Sequence, residues 1–320
     1  MKAAVVQAFD RPPRFAEFED PRAAPGETVL RVSAAATSRL ARSRAAGLHY
    51  SATQAPPFVA GVDGVGVTAD GRRVYFQLPR PPFGALAERT VVQDGWTVPV
   101  PDELDDATAA AAAIPGMSCW VPLTRLAPIR PGESVLVNGA TGSSGRMAVQ
   151  VARHLGARHV LATGRDPEKL AALAALGADV RLPVGPTPEA LRDAVRPAAR
   201  ETSVGVVLDY LWGPTAGAIL SALGGPDAPR GTARVRFVQI GQMGGPTVPL
   251  DGSLLRSSGV EILGSGIGGV AESEVAAGIG EFLRVAGQVR FQVDFDRYPL
   301  SEIERTWPEE RERRQVYEVR

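Results

Sequence analysis

Apolar and polar positions change rhythm twice along the chain. Up to about residue 100, short β-branched and apolar runs are broken by turn residues at the spacing of a small all-β unit. Strands are predicted over 3–7, 15–19, 28–36, 66–69, 73–76, 88–92 and 97–100, punctuated by Pro12-Pro13, Pro25-Gly26, Asp70-Gly71 and the run 79–82. A helix follows, with Asp102 as its N-cap, and is expected to stop before Pro115; a second covers 118–126. The rhythm then becomes strand and helix in alternation. The stretch Ser134 to Leu155 sets it: a continuous apolar run, a glycine-dense turn, then Met147, Val151 and Leu155 at helical spacing. Strands at 159–162, 179–182, 204–209, 234–240 and 261–264, with helices at 167–176, 189–195 and 215–223, predict a mostly parallel sheet. After Ala271 the texture changes again, to a helix over 272–285, strands over 291–294 and 314–319, and a short helix over 300–307 that returns the chain to its first region.

Inside the glycine-dense turn the spacing Ala140-x-Gly142-x-x-Gly145 is one residue off the G-x-G-x-x-G dinucleotide fingerprint. That fingerprint asks for a tight turn, a backbone bare enough for a pyrophosphate, and a close contact between helix and strand. Ala140 is expected to serve the tight turn. Thr141, Ser143 and Ser144 complete a loop whose backbone N–H groups would face an anion at the start of the helix. The next strand ends in Thr163-Gly164-Arg165, with no acidic residue where an NAD site would place one on the ribose. Arg165 suits a 2′-phosphate through a charge-assisted contact, so NADPH is the expected cofactor. A solvated arginine paired to Asp166 or Glu168 is the competing reading.

Composition narrows the partners. Lysine plus arginine and aspartate plus glutamate both total 35 over 320 residues, so no net field draws nucleic acid or an anionic membrane. The single cysteine, Cys119, rules out a disulfide within the chain and an all-cysteine zinc site. No apolar window approaches the length of a membrane span, and a cytoplasmic location is expected.

Several weaker motifs occur in one order: Pro57-Phe58-Val59, Gly61-Val62-Asp63-Gly64-Val65-Gly66, the stretch 85–88, the run 105–115, Gly116-Met117-Ser118, the glycine loop with Ala148-Val149-Gln150-Val151-Ala152, and Leu300-Ser301-Glu302-Ile303 with Trp307. With these motifs the chain resembles the medium-chain dehydrogenase/reductase superfamily, in its zinc-free quinone oxidoreductase-like branch. The resemblance implies an α/β chain: a GroES-like β-barrel catalytic domain over residues 1–117, a doubly wound Rossmann NADP(H)-binding domain over 118–267, and a return to the catalytic domain over 268–320. Zinc-dependent members carry a cysteine and then G-H-E; here that position reads Gly61-Val62-Asp63, and no metal is expected.

By the same resemblance, hydride passes from NADPH to an acceptor that is already electrophilic, a quinone or an α,β-unsaturated carbonyl compound. The segment 38–50 would line the cleft, with Ser38 and Tyr50 as catalytic candidates; an interface role for Tyr50 and a surface role for His49 stay open. Tyr210, Ile240 and Gly241 close strands at the carboxyl edge where such sheets bind ligands, and Trp212 is either a pocket wall or core. The resemblance also implies a homodimer. Two other readings remain, an enoyl-thioester tailoring reductase and a non-catalytic NADPH-binding redox sensor.

Overall fold

A computed structural model describes residues 1–224, 234–309 and 313–319. In chain order the N-terminal elements are β1 (Lys2–Val6), β2 (Arg14–Glu17), β3 (Glu27–Ala36), α1 (Arg39–Ala45), β4 (Phe58–Val59), β5 (Asp63–Val67), β6 (Arg73–Gln77), β7 (Arg89–Gln93) and β8 (Thr97–Pro99). Helix α2 (Asp106–Val121) leads into β9 (Ser134–Asn138), α3 (Ser143–His154), β10 (Val160–Gly164), α4 (Pro167–Ala172), β11 (Val180–Pro183), α5 (Pro188–Thr202), β12 (Val204–Asp209) and α6 (Gly213–Leu223). Then come β13 (Val235–Gln239), α7 (Gly252–Ser257), β14 (Val260–Gly264), α8 (Glu272–Val289), β15 (Phe295–Pro299), α9 (Ile303–Thr306) and β16 (Arg314–Glu318).

The structure divides into two units, Pro115–Val270 and Met1–Ile114 with Ala271–Arg320. The first is a parallel sheet in the order β11-β10-β9-β12-β13-β14, a doubly wound arrangement whose order reverses beside β9. Leu136, Leu161, Val207 and Phe237 of the sheet are buried with Leu191 and Val195 of α5 and Ile219 and Leu220 of α6. Each fully buried side chain of this size contributes roughly 1.5–3 kcal/mol. Such packing makes the sheet a rigid platform for the loops at its carboxyl edge.

The other unit carries the GroES-like mixed sheet β15-β16-β3-β5-β6-β8, with β7 also paired to β3, and the small sheet β2-β1-β4. Val32, Val74, Phe76, Leu86, Trp307 and Tyr317 form part of its core. The C-terminal tail is built in through β16, which pairs antiparallel with β3, Tyr317 opposite Ala35.

Four sequence expectations are corrected. Asp105, not Asp102, caps α2: its Oδ1 accepts from the Thr108 N–H at 3.1 Å. Pro115 lies inside α2, where it removes one helical N–H, yet the surrounding alanines are so completely buried that burial holds the helix through it. Helix α5 likewise continues through Pro197. The strand expected at 291–294 begins at Phe295 instead, because α8 runs on to Val289 and ends in a left-handed Arg290. Helices α1 and α7 and strand β4 are short enough to carry no clear period in the sequence.

Candidate functional site

Strand β9 ends at Asn138, and the tight turn falls on the residue after it. Gly139 has φ +84°, and a Cβ there would stand 2.9 Å from Leu211 Cγ. Ala140 stands inside this turn, where the Gly142 N–H reaches back to the Gly139 carbonyl at 3.5 Å, but the left-handed residue is Gly139. Ala140 is buried, with its N–H donated to the Thr163 carbonyl at 2.9 Å, and Gly139 supplies the left-handed backbone. The sequence signal was the Asn-Gly pair at the strand end, a turn dipeptide in its own right.

Gly142 is the N-cap of α3 and offers no side chain to it; the first helical bond runs from the Arg146 N–H to the Gly142 carbonyl at 2.8 Å. Among the described residues no acceptor meets the backbone N–H groups of Ser143, Ser144 and Gly145. Three open donors and the positive end of the helix dipole thus point the same way. The two motif glycines do different work. A Cβ on Gly142 would meet nothing closer than the Gly139 carbonyl at 3.9 Å, whereas one on Gly145 would lie 2.3 Å from that oxygen and 2.6 Å from Ala140 Cα. Gly142 keeps a surface bare; Gly145 lets the helix seat against the loop.

Thr163, at the end of β10, is fully buried. Its hydroxyl donates to Asn138 Oδ1 at 2.7 Å and accepts from the Gly139 N–H at 3.1 Å, so the side chain shapes the loop. Gly164 allows Thr141 to pack closely, since a Cβ there would fall 2.6 Å from Thr141 Cγ2. Arg165 is exposed and, among the described residues, has no hydrogen-bond or ion-pair partner. Asp166 does not hold it: that carboxylate caps α4, accepting from the Glu168 and Lys169 N–H groups, and its charged neighbour is Lys169 Nζ at 3.6 Å. Those contacts, the Lys169 N–H foremost, hold Asp166 below the usual carboxylate range.

Tyr210, Ile240 and Gly241 meet at the ends of β12 and β13. The Ile240 and Gly241 N–H groups both donate to the Asp209 carbonyl, at 2.8 and 3.1 Å, and a Cβ on Gly241 would fall 2.5 Å from the Tyr210 carbonyl oxygen. The Tyr210 hydroxyl is 3.2 Å from Ser118 Oγ, and burial pushes its pKa well up. Trp212 is half-buried, its ring 6.2 Å from that of Phe237, so it belongs to the core margin.

In the other unit, Ser38 caps α1 with an oxygen that accepts from the Ala41 N–H at 3.1 Å. Tyr50 is 71% exposed, its ring 4.2 Å from the His49 ring. Burial and then the nearby Arg44 lower the His49 pKa, and its Nδ1 accepts from the Ser51 N–H at 3.2 Å. Asp63 is wholly buried, with the Tyr75 hydroxyl donating to Oδ2 at 3.1 Å and no partner for Oδ1 among the described residues. Burial pushes its pKa up to about 7, against the pull of Arg314 and the Tyr75 hydrogen bond.

No family model matches the chain. A probable NADPH-dependent quinone reductase of Emericella nidulans is 30% identical, the alignment covering 97% of each chain. The Thermus thermophilus quinone oxidoreductase, solved alone and with NADPH, superposes with a TM-score of 0.77 at 30% identity, covering 96% of this chain and 95% of that one. A mycobacterial quinone oxidoreductase superposes at a TM-score of 0.86 over 99% of both chains; at 23% identity it speaks for the fold.

Proposed function

The chain belongs to the quinone oxidoreductases of the medium-chain dehydrogenase/reductase superfamily, and on that premise we propose that it is an NADPH-dependent reductase of quinones or α,β-unsaturated carbonyl compounds. The observation that carries this reading is the open start of α3, with bare Gly142 in front of three free N–H groups and an unpaired Arg165 at the end of the adjacent strand. These residues fit the cofactor. The loop from Ala140 to Gly145 would hold the pyrophosphate on backbone donors, and Arg165 would take the 2′-phosphate. The Tyr210 and Gly241 backbones would flank the nicotinamide end, where the absence of a side chain on Gly241 permits close approach. When bound, NADPH supplies the hydride, and the protein's task is orientation.

On the acceptor side, the exposed Tyr50 hydroxyl is the group we assign to the substrate carbonyl, where it would share the charge that develops on oxygen. Ser38 we assign to positioning, because its oxygen is committed to the α1 cap. We read the transfer as metal-free. Val62 has no donor atom, and the Asp63 carboxylate is turned toward Tyr75. The assembly we read as a homodimer joined along β14, which pairs only with β13 among the described residues; the exposed Leu255 and Ile267 fall in α7 before it and in the segment that follows it. Among the described residues no helix is long and apolar enough to cross a membrane.

Arg165→Ala tests the cofactor assignment. Loss of a charge-assisted contact should weaken NADPH by roughly 10- to 100-fold while NADH changes by less than about threefold. Equal losses for both nucleotides in a titration of the purified variant would remove Arg165 from the site.

A further inference from the structure

At the carboxyl edge of the parallel sheet, Asn138 and Asp209 end neighbouring strands in direct register, and both are fully buried. Asn138 Nδ2 donates to Asp209 Oδ1 at 2.7 Å and to Thr215 Oγ1 at 3.1 Å. Its Oδ1 accepts the Thr163 hydroxyl, and that hydroxyl in turn accepts the N–H of Gly139, where the loop turns. The amide of Asn138 thus has one usable orientation, since only its nitrogen can face the carboxylate and only its oxygen can face the threonine proton.

The other side of Asp209 fixes a second loop. Its Oδ1 accepts from the Leu211 N–H at 3.1 Å, and both of its oxygens lie 3.1 Å from the Trp212 N–H. Trp212 has φ 56° and ψ −154°, a conformation that L-residues rarely adopt and that persists only where the surroundings impose it. The Thr215 hydroxyl holds the Trp212 carbonyl from the other end at 3.2 Å. The held turn makes two approaches. Leu211 lies against Gly139 of the glycine loop, and the Leu211 carbonyl accepts the Gly244 N–H at 2.6 Å.

We infer that Asp209, acting through Asn138, is a positioning residue for cofactor binding: one buried carboxylate sets the shape of the glycine loop and of the Leu211 to Gly213 turn together. The assignment rests on the cofactor reading above and deepens it. In a network of this kind each bond fixes the direction of the next, so a local change is felt at both loops. Asp209 is assigned no contact with phosphate or ring. Its effect is on the pyrophosphate cradle, common to both nucleotides, and so differs in kind from that of Arg165.

Asp209→Ala removes the acceptor of the Asn138 amide and of the Leu211 and Trp212 N–H groups, whereas Asp209→Asn can keep an oxygen in the Oδ1 position, facing all three. Nucleotide dissociation constants, measured by titration with the melting temperature in parallel, should rise about tenfold for NADPH and NADH alike in Asp209→Ala. They should return to within about threefold of wild type in Asp209→Asn. Thr163→Val, a milder change that keeps the shape, should raise both constants in the same proportion. In the nucleotide-free protein, hydrogen exchange at the Gly139 and Trp212 amides should speed up in Asp209→Ala. A lower melting temperature with unchanged constants would make Asp209 a purely structural residue and overturn the assignment, as would Asp209→Asn binding no better than Asp209→Ala. Wild-type protein that binds neither nucleotide would overturn the cofactor reading as well; wild-type binding with indifferent variants overturns this assignment alone.

Discussion

Gly145→Ala should abolish measurable NADPH binding and lower the melting temperature, while Gly142→Ala should weaken binding with the melting temperature nearly unchanged. The difference follows from what an added methyl group meets. At Gly145 its neighbours are backbone atoms, the Gly139 carbonyl oxygen at 2.3 Å and Ala140 Cα at 2.6 Å, and neither can swing aside as a side chain would. Either α3 lifts off the loop or the loop shifts, and overpacking of this kind costs about 1–3 kcal/mol or more. Both displacements spoil the alignment of the Ser143 and Ser144 N–H groups, so affinity falls with stability; a loss of roughly 100-fold or more is expected. At Gly142 the backbone is ordinary, φ −79°, and the space is open. Alanine is a poorer N-cap than glycine by roughly 0.5–1 kcal/mol, but at a φ it can adopt it regains about 0.4–1 kcal/mol by restricting the unfolded chain, so the two effects nearly offset. The methyl group would instead occupy the surface that an anion must approach. Thermal melts paired with nucleotide titrations of the two variants check both halves, and two variants with matched losses of stability would contradict this division of labour.

The stability of the fold should fall as pH rises from about 4 to about 7, through Asp63. Its pKa is raised from 3.8 to about 7 by complete burial, so in this window the folded chain holds a proton that the unfolded chain releases. Stability from this group is therefore full below the unfolded value and lost as pH climbs through the folded one. A shift of roughly three units corresponds to about 4 kcal/mol across the window. Carboxylates with depressed values, such as Asp166, act in the opposite sense, losing their contribution on acidification. They are common to the wild type and to Asp63→Asn, and cancel in the comparison. Denaturant unfolding over this range should show the wild type gaining on the variant as pH falls, by about 4 kcal/mol in all. Parallel pH profiles would show that the carboxylate stays ionised, with Arg314 closer to it than burial alone implies.

The sheet and its loops were legible in the sequence to different depths. Strand β12 reads directly from the run Val204 to Leu208 that Asp209 closes, because a strand covered on both faces has no polar alternation to blur it. Helix α3 is equally plain from Met147 and Val151. Helix α2 reads as ending before Pro115 and in fact runs through it, since local rules treat proline as a stop and cannot weigh the burial of the alanines around it. The cofactor loop is legible through its glycines, with Ala140 in the turn, but spacing only counts positions, and the left-handed backbone of Gly139 is a property of the turn after Asn138. The conformation of Trp212 left no trace in the sequence. A bulky residue at positive φ is intelligible only once Asp209 and Thr215 are seen holding its N–H and its carbonyl.

The most direct test of the reductase activity is the oxidation of NADPH by the purified protein, followed by the loss of its near-ultraviolet absorbance against a panel of quinones and α,β-unsaturated carbonyl compounds, with NADH in parallel. An NADPH-dependent reductase should turn over at least one class of acceptor, with a clear preference for NADPH. Tight NADPH binding without reduction of any acceptor would contradict it.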